Sequence, residues 1–65
     1  MRIDRVKLIA EMARQDMTVQ NLAEKSGLSR VTITGVRSGK TCSDKTANKL
    51  AQGLGVSIET LRTEG

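Results

Sequence analysis

Apolar residues recur along the chain three and four positions apart, in short clusters set off by Ser, Thr, Asp and Gly, and this is the spacing of helices rather than strands. In the first cluster Val6, Ile9, Ala10 and Ala13 fall at helical spacing, Leu8 and Met12 widen the stripe, and Asp4 stands where it can cap the amides. A first helix is therefore predicted through about Gln15, followed by a short break at Asp16-Met17. Thr18 is placed to cap a second helix that runs to Lys25 or Ser26 with Leu22 and Ala23 inward, and Gly27 stands where a left-handed residue ends it. Ser29 opens a third helix to about Arg37 with Ile33 and Val36 buried, and Gly39 releases the chain into a polar loop from Lys40 to Cys42. Ser43 caps a fourth, whose stripe is Ala47, Leu50, Ala51 and Leu54; Gly53-x-Gly55 reads as its end, and Ser57 opens a last short helix holding Ile58 and Leu61. No stretch alternates as a strand would. The expected product is all-α, a compact bundle of about five short helices in a single domain over residues 1–65.

The segment from Thr18 to Gly39 carries a more specific signal, a helix-turn-helix over residues 18–37. Two helices meeting steeply across a three-residue turn need a small side chain at the crossing, which Ala23 supplies. The turn needs a residue free of a Cβ penalty at positive φ, which Gly27 supplies, and Leu28 plugs the corner. With Ile33 and Val36 inward, 100° of rotation per residue leaves Val31, Thr34, Gly35 and Ser38 pointing away from the core, with Arg30 and Thr32 on the flanks.

Composition narrows what such a face can bind. The 65 residues include no Phe, Trp or Tyr, so base stacking on aromatic platforms is excluded and the core rests on Leu, Ile, Val, Met and Ala. Net charge is +4, but residues 1–24 balance, and the excess lies in residues 25–49, where Lys25, Arg30, Arg37, Lys40, Lys45 and Lys49 face Asp44 alone. A polyanion would dock on the second half of the motif and the segment after it. The lone Cys42 has no partner for an internal disulfide and reads as a structural thiol, which suits a reducing, cytoplasmic setting. No apolar run is long enough for a membrane span, and no basic-then-apolar leader is visible. With no His, no carboxylate pair in a cleft, no metal-ligand cluster and no phosphate-cradling glycine loop, the chain is expected to be no enzyme, to need no cofactor or metal, and to bind no small molecule.

Leu22-Ala23, Gly27-Leu28-Ser29, Ile33, Val36 and Gly39, followed by Ser43, Thr46, Leu50-Ala51, Leu54-Gly55-Val56 and Leu61, resemble the lambda-repressor/Cro-like (XRE-type) helix-turn-helix family over nearly the whole chain. The resemblance implies that the helix over 29–37 enters the major groove of double-stranded DNA, that the second helix lies across the phosphates, and that the protein is a transcriptional regulator, most often a repressor, acting as a homodimer at least on DNA. It implies base contacts from Arg30 to guanine and Val31 to a thymine methyl, with Thr32 and Gly35 next. Backbone contacts are expected from Thr18, Ser29, Thr34, Arg37, Ser38, Lys40, Thr41 and Lys45. Only Ile58, Leu61 and the final residues are left over for a dimer contact.

Three positions depart from the family pattern. Val19 stands where members often have a Gln that binds phosphate and braces a reading residue. Arg37 stands where an acidic residue often pairs with an Arg of the first helix, here Met12, and Cys42 stands where many have Pro. A different class of function, a small helical protein-interaction module such as an antitoxin-like partner, fits an exposed face running from Val31 to Gly35.

Overall fold

In the computed structural model, which describes residues 2–63, four helices begin where a short polar side chain accepts a backbone N–H that the helix itself leaves unpaired. Asp4 opens α1 (Arg5–Arg14) by accepting from the Val6 and Lys7 amides. Thr18 opens α2 (Val19–Ser26) in a reciprocal box: its hydroxyl accepts from the Asn21 amide while the Asn21 side chain accepts from the Thr18 amide. Ser29 opens α3 (Arg30–Arg37) through the Thr32 amide, and Ser43 opens α4 (Asp44–Leu54) through the Thr46 amide. The short α5 (Ile58–Leu61) starts at Ser57, whose hydroxyl caps no amide and pairs with Thr60 Oγ1 at 3.2 Å.

The break after α1 is a left-handed helix end made without glycine. Asp16 sits at φ 52°, the Asp16 amide donates to the Ala13 carbonyl at 3.1 Å, and the Met17 amide donates to the Met12 carbonyl at 2.8 Å. Asp tolerates this region better than most residues because its short polar side chain bonds locally. The turn between α2 and α3 is made by Gly27 at φ 75°, whose amide donates to the Ala23 carbonyl at 2.9 Å.

The core gathers Ile3, Leu8, Met12, Leu22, Ile33, Val36, Ala47, Leu50, Ala51, Leu54 and Leu61, within a molecule of 29 × 21 × 19 Å. α2 packs on α4 and α3, α1 on α3 and α5, and α4 on α5. The stripe expected on α1 is corrected: Leu8 and Met12 face inward, whereas Val6 is 66% exposed, Ile9 38% exposed, and Ala10 and Ala13 are exposed. The two sets lie on opposite sides of the helix, and the longer Leu and Met side chains fill more core than two alanines can. The chain ends fix that choice. An isolated antiparallel bridge pairs Ile3 with Arg62, the Asp4 amide donates to the Leu61 carbonyl at 2.8 Å, and the Lys7 ammonium donates to the Arg62 carbonyl at 3.0 Å. Together these hold the buried Ile3 beside Leu8. At its other end α1 is tied to α4 by the Gln15 amide group, which donates to the Leu54 carbonyl at 2.8 Å.

Gly53-x-Gly55 does form the end of α4: Gly55 closes it in the left-handed conformation, and Gly53, the second-last helical residue, lies buried against α2. One further expectation is corrected. Leu61 is fully buried and so is not left over for a dimer contact, Ile58 packs on the core while staying partly exposed, and residues 64–65 lie outside the described residues.

Candidate nucleic-acid interface

With Ile33 and Val36 locked into the core, α3 turns Val31, Thr34 and Ser38 to solvent, and Val31 is 82% exposed. Val31, Thr34, Gly35 and Ser38 line a groove of about 640 Å³ together with Arg30, Lys40 and Val19, which is the first residue of α2. On the other side of α3 a second groove of about 300 Å³ is lined by Val31, Thr32, Gly35, Val36, Lys40, Thr41, Cys42 and Thr46. The outward ridge of α3 thus stands between two depressions, with Val31, Gly35 and Lys40 common to both.

The end of α3 determines where Lys40 goes. Gly39 at φ 99° donates its amide to the Val36 carbonyl at 3.0 Å, and the Lys40 amide donates to the Gly35 carbonyl at 3.1 Å. That closure folds the loop back onto the helix. A Cβ added to Gly35 would lie 3.5 Å from the Lys40 Cδ, so the aliphatic stem of Lys40 passes over the bare backbone of Gly35, and Lys40 lines both grooves.

The expected site residues divide by place. Arg30, Val31, Thr34, Gly35, Ser38 and Lys40 come together on the larger groove, and Thr32 and Thr41 on the smaller. Thr18, Ser29 and Lys45 are exposed at the starts of α2, α3 and α4, outside both linings. Capping leaves different resources at each hydroxyl. Thr18 accepts from Asn21 and keeps its own proton to donate, Ser29 shares one with Thr32 Oγ1 at 2.9 Å, and Ser38 already donates to the Thr34 carbonyl at 2.9 Å. Arg37 is half-buried, and its Nε is enclosed with no hydrogen-bond partner, which sets it apart from the outward face.

Val19 is the groove residue that sequence reasoning left out. Its apolar side chain argued only against a phosphate contact, and the signal that would have found it is its place at the start of α2, across the turn from α3. Cys42 sits half-buried in the wall of the smaller groove, where loss of solvation pushes its thiol above the ordinary range and the nearby Asp44 adds to the rise. No cluster of metal-ligating side chains occurs among the described residues, and no helix there is long and apolar enough to cross a membrane.

An all-α fold with a capped helix, a glycine turn and a second helix whose outer face is exposed defines a helix-turn-helix domain. The model of the Cro/C1-type helix-turn-helix DNA-binding domain matches residues 7–63, and the chain belongs to that family. No curated protein matches it. Among solved structures, it is similar to the restriction-modification controller protein C.AhdI from Aeromonas hydrophila, with 27% identity and a TM-score of 0.84 over 89% of each chain. It is also similar to the restriction-modification controller protein C.Esp1396I, with 28% identity and a TM-score of 0.75 over 82% of this chain and 70% of that one. PhpD, solved with cadmium atoms, matches all of this chain at 26% identity and a TM-score of 0.84, but the match spans only 14% of PhpD.

Proposed function

We propose that the protein is a sequence-specific transcriptional regulator that inserts α3 into the major groove of operator DNA. The observation that carries this reading is the convergence of Arg30, Val31, Thr34, Gly35, Ser38 and Lys40 on one outward groove. That groove lies in the only segment of the sequence with a marked positive excess, residues 25–49. A helix fits the roughly 12 Å width of the major groove, Arg30 offers a two-pronged donor for guanine, and Val31 offers an apolar surface for a thymine methyl. Lys40, Thr41, Lys45 and the free hydroxyl donor of Thr18 hold the phosphates, with Ser29, Thr34 and Ser38 as further backbone contacts. The likeness to restriction-modification controller proteins supports a regulator. We place it in the cytoplasm, binding as a homodimer on symmetric sites and repressing by occluding a promoter.

The test is selection from a randomised duplex pool followed by mobility-shift titration, with the DNA upstream of the chain's own gene included. Enrichment of a site bound at least ~10³-fold above random duplex at moderate salt is the expected result. Binding that never exceeds random DNA overturns the reading. A protein-interaction module is the second reading, favoured by the 82% exposure of Val31. It is distinguished by Arg30→Ala combined with Lys40→Ala, which abolishes DNA binding and spares an apolar protein contact.

A further inference from the structure

The larger groove has an apolar wall built from two helices, and DNA chemistry limits what can lie against it. Val19 comes from the first turn of α2 and is held by packing against the core, whereas Val31 stands 82% exposed on α3, and both line the same groove. Gly35 lines the same groove without a side chain of its own, and the flexible stem of Lys40 lies over it, its Cδ 3.5 Å from where a Cβ would stand. Neither valine donates or accepts a hydrogen bond, so neither responds to the donor and acceptor pattern of a base pair. Among the groups exposed in the major groove, the C5-methyl of thymine is the apolar one that projects from its base and marks its pair. Both side chains are β-branched and stiff about χ1, so the wall is preformed.

Resting on the DNA-reading function proposed above, we infer that Val19 is a specificity-determining residue, which together with Val31 receives a pyrimidine 5-methyl group and makes the protein select thymine at a fixed position of each half-site. Val19 is thus turned to a base edge instead of anchoring a phosphate.

The experiment compares a duplex enriched from the random pool with the same duplex carrying deoxyuridine for thymine, one position at a time. Deoxyuridine keeps every hydrogen-bonding group and lacks only the methyl. One thymine per half-site is expected to show a loss of about fourfold in affinity, the factor for burying one methyl-sized group. Val31→Ala and Val19→Ala should each bring that ratio towards one, with folding of both variants verified by thermal unfolding and Val19→Thr used if Val19→Ala fails to fold. Absence of any methyl-sensitive thymine overturns the inference, as does a penalty that responds to Val31 but is unchanged in the Val19 variants. Enrichment of no duplex at all refutes the DNA-reading function and this inference with it, whereas enrichment without a methyl penalty refutes the inference alone.

Discussion

Gly53 of α4 lies so close to Ser26 of α2 that a Cβ on the glycine would fall 2.9 Å from the Ser26 Cβ. It would also fall 3.0 Å from Leu22 Cδ1 and 3.2 Å from the Ser26 Cα, which is backbone and cannot rotate away. A helix-interior glycine ordinarily costs about 0.5–1 kcal/mol relative to Ala, so by propensity alone Gly53→Ala should stabilise. Crowding wins here. We expect Gly53→Ala to destabilise by about 1–3 kcal/mol, the usual cost of overpacking, read as a lower midpoint in denaturant with an unchanged slope. An unchanged or raised midpoint would mean that α2 and α4 can separate at little cost.

Gly35 in the middle of α3 should behave oppositely. Its absent Cβ would meet only the Lys40 Cδ at 3.5 Å, an ordinary contact with a flexible side chain. Gly35→Ala is therefore expected to raise stability by about 0.5–1 kcal/mol. If the groove admits a base edge over Gly35, the same variant binds its site more weakly. Unfolding and DNA titration of one sample separate the effects, and a variant that is more stable with unaltered affinity would remove Gly35 from the interface.

The caps differ in a way that the side chains predict. Ser43 accepts from the Thr46 amide at 3.2 Å, while Ser57 caps no amide. Ser43→Ala should cost about 1 kcal/mol. Ser57→Ala removes only a hydroxyl pair with Thr60 at the surface and should cost well under half of that by the same measurement. Equal losses would show that α5 depends on its Ser57–Thr60 pair as strongly as α4 depends on its cap.

Cap and turn residues made the element boundaries legible in the sequence, because a Ser or Thr at a helix start and a Gly at its end act locally: Thr18, Gly27, Ser29, Ser43 and Gly55 all stand where the pattern put them. What the pattern missed depends on tertiary contact. Helix α1 carries two apolar stripes on opposite faces, and only the bridge between Ile3 and Arg62 shows which of them turns inward. Gly53 reads in sequence only as part of a helix end, and its close approach to α2 emerges once Ser26 and Leu22 are laid against it. Val19 looked like a lost phosphate contact because its position was judged along the chain, while its place in the groove comes from the packing of α2 against α3.

Cys42 gives the chain a pH response on the alkaline side. Burial raises its thiol above the ordinary value in the folded state, so the folded protein holds that proton at pH values where the unfolded chain releases it. The sign follows: the stability associated with the thiol is fully present below the unfolded value, about pH 8.5, and is lost as pH rises through the folded value. The difference in unfolding free energy between wild type and Cys42→Ser should be flat below about pH 8.5 and shift against the wild type above it. A difference that stays constant across that range would place the thiol in solvent.

Arg30 and Lys40 line the same groove but should fail differently when truncated. Arg30 sits in the first turn of α3, within reach of a base edge if the helix enters the major groove, and its planar fork matches guanine O6 and N7. Arg30→Ala should then weaken the selected site by about 1–3 kcal/mol and flatten the preference at one base pair, while binding to random duplex changes little. Lys40 lines the groove as a flexible point charge, and under the proposed function it meets phosphate whatever the sequence. Lys40→Ala should lower affinity for selected and random duplex alike and reduce the slope of log affinity against log salt by about one. Titrating both variants against both duplexes at several salt concentrations checks the assignment. Loss of base preference in Lys40→Ala, or a uniform loss in Arg30→Ala, would reverse the two roles and shift base reading from the start of α3 towards its C-terminal loop.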